Sequence, residues 1–289
     1  MKYVFFGTPH IAQLTLEALE KNDFLPALIV TAPARPQGRG LHLQDTPVAQ
    51  FAQAHDIPFL TPEKITPEFI EELQKQGPWD FFFVVAYGTI LPTSLLESVQ
   101  GKVLNLHPSL LPKYRGPSPL ESVLLSDDTE TGVTIMHIDE QVDHGPIVAQ
   151  EAFVLEEEET IITLTQKSAE IGAKLLIENI SEYLNGSLSP IAQDHALATK
   201  TRKYVKTDGS LDGINDTRLN DGVGQDWQKW KIFRALGDRG WVHFTAEHHG
   251  KKIMVKIVKA SYQDGAFVIE EVIPENGKRQ SYESFLHSY

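Results

Sequence analysis

Short apolar runs alternate with helical stretches in the first half of the chain, and that alternation limits the fold most. Lys2 to Phe6 reads Lys-Tyr-Val-Phe-Phe and stops at Gly7-Thr8-Pro9. Ile11, Leu14, Leu16, Ala18 and Leu19 then recur at helical spacing, and Ala27 to Val30 is apolar again. A strand, a helix and a strand at this spacing make a βαβ unit, which demands a parallel sheet with right-handed crossovers. The pattern predicts helices over 46–55, 67–76, 91–98 and 119–126. It predicts strands over 80–86, 103–106, 133–138 and 147–154, and a long helix over 160–184 behind the acidic Glu156 to Glu159. The expectation is an α/β catalytic domain over residues 1–189 with a mostly parallel sheet.

After Gly186 the periodicity fades, and residues 190–220 read as a linker. Residues 221–289 read as a small β-domain, with a helix over 227–236 and strands over 241–246, 252–260 and 266–272. His249-Gly250 and Asp264-Gly265 stand where hairpin turns belong. The chain has no Cys, which excludes disulfides, thiolate zinc sites and thiol nucleophiles. Its longest apolar runs fall far short of the ~20 residues of a membrane helix. The N-terminus enters a strand without a secretory apolar region. A cytoplasmic monomer with no membrane partner is expected. Net charge is −13, unevenly spread: residues 201–289 hold 14 Lys and Arg against 12 Asp and Glu, leaving 12 against 27 before them. That asymmetry suggests two parts with different partners.

The chemistry concentrates after the strand at 103–106. Asn105 and His107 are two apart, so their side chains share one side of the strand. They fall at its carboxyl end, where open α/β sheets bind ligands. Downstream, Asp139-Glu140-Gln141-Val142-Asp143-His144-Gly145-Pro146 is a polar turn between two strands. If it folds over the same strand end, Asp143 meets His107. An amide, an imidazole and a carboxylate without a Ser or Cys nucleophile suggest direct group transfer. The amide and a protonated His107 stabilise an oxyanion, and the carboxylate orients the imidazolium and accepts protons. Taken singly, these residues also suit a strand-end amide, a satisfied histidine and a turn carboxylate. His107, His137 and His144 are spaced too irregularly for a metal site, and no metal is expected.

The run Asn105-Leu-His107-Pro-Ser109-Leu-Leu-Pro112-Lys-Tyr-Arg115-Gly116 resembles the signature of folate-dependent formyltransferases. Thr131-Gly132-Val133-Thr134 and Asp143-x-Gly145 continue it at matching spacing. The resemblance implies a Rossmann-like domain that binds 10-formyltetrahydrofolate. It implies Asn105, His107 and Asp143 as the catalytic trio, and Ser109, Leu110, Leu111 and Pro112 lining the folate site. It implies neither a metal nor a covalent enzyme intermediate.

The acceptor has to be read from other segments. Pro33 to Gly40, then Thr46-Pro47-Val48, resembles the loop with which methionyl-tRNA formyltransferases enter the acceptor arm of initiator tRNA. Two guanidinium groups, Arg35 and Arg39, set among glycines and prolines, suit phosphates or exposed bases. Lys203 to Asp212 is similar to that branch's linker, where Lys203 and Lys206 add cations, and Gly277 to Leu286 resembles its closing segment. The resemblance therefore implies initiator methionyl-tRNA as the partner. Leu41 and His42 replace lysines usual in that branch, Gly213 replaces a Trp, and three strands stand against the five of a complete OB barrel. A reduced OB-like domain is expected. The alternative acceptor is a nucleotide-linked amino sugar, whose enzymes do not need the arginine loop. Enzymes acting on glycinamide ribonucleotide would end near residue 200.

Overall fold

Continuous apolar runs, unlike alternating ones, mark strands covered on both faces. Tyr3–Gly7 (β1) is such a run, and every residue in it is buried. The structure, a computed structural model of the 289-residue chain, describes residues 1–37, 42–214, 223–248 and 250–288. After β1 the chain forms α1 (His10–Glu20), β2 (Leu28–Val30), β3 (Arg35–Gln37), β4 (His42–Gln44) and α2 (Pro47–Ala54). It continues through β5 (Phe59–Leu60), α3 (Pro67–Lys75), β6 (Phe81–Val85), α4 (Thr93–Glu97) and β7 (Val103–His107). Then come α5 (Pro119–Leu125), β8 (Glu130–His137), β9 (Ile147–Val154) and α6 (Ile161–Asn185). The remainder holds α7 (Val223–Leu236), β10 (His243–His248), β11 (Lys251–Gln263), β12 (Ala266–Pro274), β13 (Gln280–Ser281) and α8 (Tyr282–Ser288). No helix among the described residues is long and apolar enough to cross a membrane.

The chain divides into two compact units. One comprises residues 1–116, 131–153 and 165–200, the other residues 117–130, 154–164 and 201–289. In the first, seven strands run in the order β5-β2-β1-β6-β7-β8-β9. β1 pairs in parallel with β2 and β6, β2 with β5, and β6 with β7; β8 runs antiparallel to β7. This is the expected α/β Rossmann-like fold with a mostly parallel sheet. Strand order reverses between β1 and β6, so the ligand crevice belongs at the carboxyl ends of these strands and of neighbouring β7. Phenylalanines build both faces. Tyr3, Phe5, Phe81 and Phe83 pack on the side of α1, α2 and α6, while Val4, Phe6, Phe82 and Val84 pack against α3 and α4. The Tyr3 and Phe81 rings stack with centroids 4.7 Å apart. Thr46 and Thr66 cap α2 and α3 through hydrogen bonds from Ala49 N and Phe69 N, each helix having Pro in its first turn.

The second unit explains why α5 and residues 154–164 belong with the C-terminal residues. Arg234 of α7 is buried and donates through Nε and Nη2 to the Leu124 carbonyl, an unsatisfied end of α5. Its Nη1 reaches the carbonyls of Glu156 and Glu157, and its guanidinium lies over the Trp227 ring. Trp230 Nε1 donates to Glu157 O at 2.7 Å. The small sheet is antiparallel in the order β10-β11-β12-β13. Val255, Ile257, Phe267, Val272 and Phe285 form its apolar side. It has one strand more than the sequence displays, because β13 has only two residues and its polar sequence carries no alternation. β11 also runs past its expected end at 260. A register shift between Ile257 and Ala260 breaks the period-2 pattern there.

Candidate active site

β7 brings the site to the sheet's carboxyl edge. Leu104 and Leu106 point into the core, which turns Asn105 and His107 to the other face. The register Val85↔Leu106 sets Ala86 beside His107, so the loop after β6 borders the same place. His107 is 4 % exposed. Its Nε2 lies 3.0 Å from the Tyr114 carbonyl. A carbonyl only accepts, so Nε2 carries the hydrogen and Nδ1 is the nitrogen left to gain or lose a proton. Nδ1 faces Asp143 Oδ2 at 3.6 Å, an ion-pair separation rather than a hydrogen bond. Oδ2 in turn accepts the Gly116 N–H at 2.7 Å. The Asn105 side chain has no hydrogen-bond partner among the described residues, and it is half-buried near the end of β7. An open amide, an imidazole with one fixed nitrogen and a carboxylate aimed at the other thus converge on one strand end.

The Ser109 to Pro112 loop is fastened from beneath. Thr134 Oγ1 donates to Ser109 O at 2.6 Å and accepts from Leu111 N and from Gln150 Nε2. Gln150 Nε2 also reaches Leu111 O, and Ser109 Oγ donates to Lys113 O. Ser109 and Leu111 are buried, whereas Leu110 and Pro112 are half-buried. A Cβ on Gly132 would stand 2.4 Å from Leu110 Cδ2, so the Thr-Gly-Val-Thr run makes room for this loop as well as tying it. The loop at 86–92, which follows β6, carries no motif in the sequence. In it Ala86 and Gly88 have positive φ at the end of a buried strand and Ile90 is 88 % exposed, properties of the folded chain that no residue pattern displays.

The expected acceptor residues fall in both units. Arg35 is exposed on β3, which pairs with β4 as a two-stranded ribbon. Arg39 lies outside the described residues. Lys203 and Lys206 are exposed in the second unit. Their neighbour Arg202 is engaged by Asp208 through Nη1 at 2.9 Å and Nη2 at 2.6 Å and lies over the Tyr204 ring.

Residues 1–180 match the family model described as formyl transferase. The chain belongs to this family. It is an enzyme of the formyltransferase type. It is 34 % identical to the methionyl-tRNA formyltransferase of Desulfotalea psychrophila over 298 aligned residues, covering 99 % of this chain and 92 % of that one. In fold it is similar to the N-formyltransferase from Helicobacter canadensis, solved in complex with folinic acid and dTDP-3-aminofucose. The TM-score is 0.59 at 20 % identity, covering 91 % of this chain and 89 % of that one. Phosphoribosylglycinamide formyltransferase from Bacillus halodurans matches with TM-score 0.52 and 27 % identity, covering 65 % of this formyltransferase and 97 % of its own chain.

Proposed function

We propose that this enzyme moves the formyl group of 10-formyltetrahydrofolate onto a primary amine, with Asn105, His107 and Asp143 as the catalytic trio. The observation that carries the reading is His107 with Nε2 fixed on the Tyr114 carbonyl and Nδ1 turned to the Asp143 carboxylate. As an imidazolium, His107 offers its Nδ1 proton to the formyl oxygen, and the open Asn105 amide offers a second donor. The amine attacks the formyl carbon, and the carbon–N10 bond of the folate breaks as the tetrahedral centre collapses. The proton shed by the amine passes through Asp143, directly or by water, and the folate nitrogen takes one up, so the step balances without an added reactant. Leu110 and Pro112, with the backbone of the loop that holds them, form one wall of the donor cleft. Residues 1–189 are the catalytic domain of a cytoplasmic, monomeric enzyme in this reading.

Two acceptor readings are each supported by their own observations. The fold likeness to an N-formyltransferase solved with dTDP-3-aminofucose runs through most of the chain, and the acidic balance of residues 1–200 suits a small nucleotide-linked amino sugar better than a long polyanion. The full-length sequence likeness to methionyl-tRNA formyltransferases, together with Arg35, Arg39, Lys203 and Lys206, supports initiator methionyl-tRNA. One assay separates them. The enzyme is supplied with 10-formyltetrahydrofolate labelled in its formyl carbon, and with charged initiator tRNA or a dTDP-amino sugar in parallel. Label on the sugar nitrogen selects the first reading and label on the methionyl nitrogen the second. Label on neither contradicts both.

A further inference from the structure

Residues 191–200 are laced between two loops of the candidate active site. On one side Ile191 exchanges two backbone hydrogen bonds with Ile147, at 2.7 and 2.8 Å. On the other, Arg115 N donates to Thr199 O at 2.9 Å, Thr199 N to Pro112 O, and Tyr114 N to Thr199 Oγ1 at 2.8 Å. Gln193 sits between these anchors and is 6 % exposed. Its Nε2 donates to the carbonyls of Asp143 at 3.0 Å and Gly145 at 2.8 Å. Its Oε1 accepts from Arg115 Nε at 3.1 Å and Nη2 at 2.6 Å. Both amide protons and both lone pairs are therefore used.

The arrangement has one permitted orientation. A guanidinium only donates and a carbonyl only accepts, so an amide turned end for end would set NH₂ against the Arg115 cation and oxygen against two carbonyls. Arg115 is 8 % exposed, and no carboxylate pairs with it among the described residues; its other partner is His195 Nδ1 at 2.9 Å. Burying an uncompensated guanidinium is costly, and a simple tether does not need one. Asp143 itself has φ +51°, the left-handed region, so its peptide needs to be held. Residue 116, next to Arg115, supplies the N–H that holds the Asp143 carboxylate.

We propose that Gln193, oriented by Arg115, is a positioning residue that aims the Asp143 carboxylate at His107. The Asp143 carbonyl is fixed by Gln193 and its carboxylate by Gly116, so the same lacing sets both ends of the residue. This rests on the reading of Asp143 as a member of the catalytic trio.

Gln193→Glu tests it. The substitution keeps the size and the link to Arg115, and it removes both donors to the loop carbonyls. Formyl release from 10-formyltetrahydrofolate, which reads the catalytic centre whichever amine is the acceptor, is followed in the full chain. kcat falls about 10- to 100-fold while KM for the donor stays within about threefold, the scale found when a supporting hydrogen bond behind a reacting group is lost. In an Asp143→Asn background, Gln193→Glu causes no further loss, because the group it positions is already gone. Gln193→Glu at wild-type kcat, or a loss that repeats in full in the Asp143→Asn background, overturns the proposal. Asp143→Asn at wild-type kcat removes the trio reading itself, a separate failure that the same four proteins identify.

Discussion

In the proposed reaction the two nitrogens of His107 have different tasks, Nε2 being fixed on the Tyr114 carbonyl while Nδ1 faces Asp143. On its proposed role, Asn105→Ala loses one of two donors to the formyl oxygen. Its kcat is expected to fall about 10²- to 10³-fold, the cost of one oxyanion donor, with little change in donor affinity. Steady-state kinetics check this, and an equal rise in KM at constant kcat would instead make Asn105 a binding residue. His137, one strand away from these groups on β8, gives a pH-dependent prediction. Burial holds its pKa below the ordinary 6.5, and Tyr183 Oη lies 2.7 Å from its Nε2. The folded state thus favours the neutral ring. The contribution to stability is complete above about 6.5 and is lost as pH falls through the lower folded value. His137→Gln should flatten the rise in denaturation midpoint between pH 5 and 7, and a variant that follows the wild-type curve would contradict this. The placement of Asn105 and His107 at one strand end, with Asp143 facing His107, was legible in the sequence because two-residue spacing and a polar turn have local geometric meaning. Gln193 was not. Its partners are 78 and 50 residues away, and only folding makes its amide part of the site.

At the scale of elements, α6 approaches β7 closely at Gly172. A Cβ on Gly172 would stand 2.0 Å from Leu106 Cδ1, between the two site residues of that strand. Gly172→Ala gains about 1 kcal/mol of helix propensity. It also forces overpacking of a buried leucine, which costs about 1–3 kcal/mol and more at so short a distance. The net effect is a lower Tm, with kcat falling as β7 shifts. A raised Tm would show that the helix accommodates the methyl freely. The strong elements β1, β6, β7 and α6 were readable because their apolar periodicity is long or continuous. The β3–β4 ribbon, β5 and β13 were not, since two or three residues are too few to display a period. The stretch from 190 to 200 lacks periodicity for a different reason. It is held by isolated bridges and side-chain hydrogen bonds instead of a ladder.

For the whole molecule, the doubly wound sheet sets a strand-end amide and histidine on the edge where such sheets take ligands, and the loop after β8 supplies the carboxylate. The second unit gathers α5 and residues 154–164 around Arg234, so the chain visits it three times, and a linear reading of composition does not reveal this. In the proposed reaction His107 and Asp143 act as one unit in formyl transfer. Four proteins measure it: the wild type, His107→Ala, Asp143→Asn and the double variant, assayed for kcat with 10-formyltetrahydrofolate and the acceptor that takes the label. Each single change is expected to lower kcat by about 10² or more, and the double variant to be little worse than the poorer single. Losses that multiply in the double variant, or a single variant that retains the wild-type rate, would contradict it.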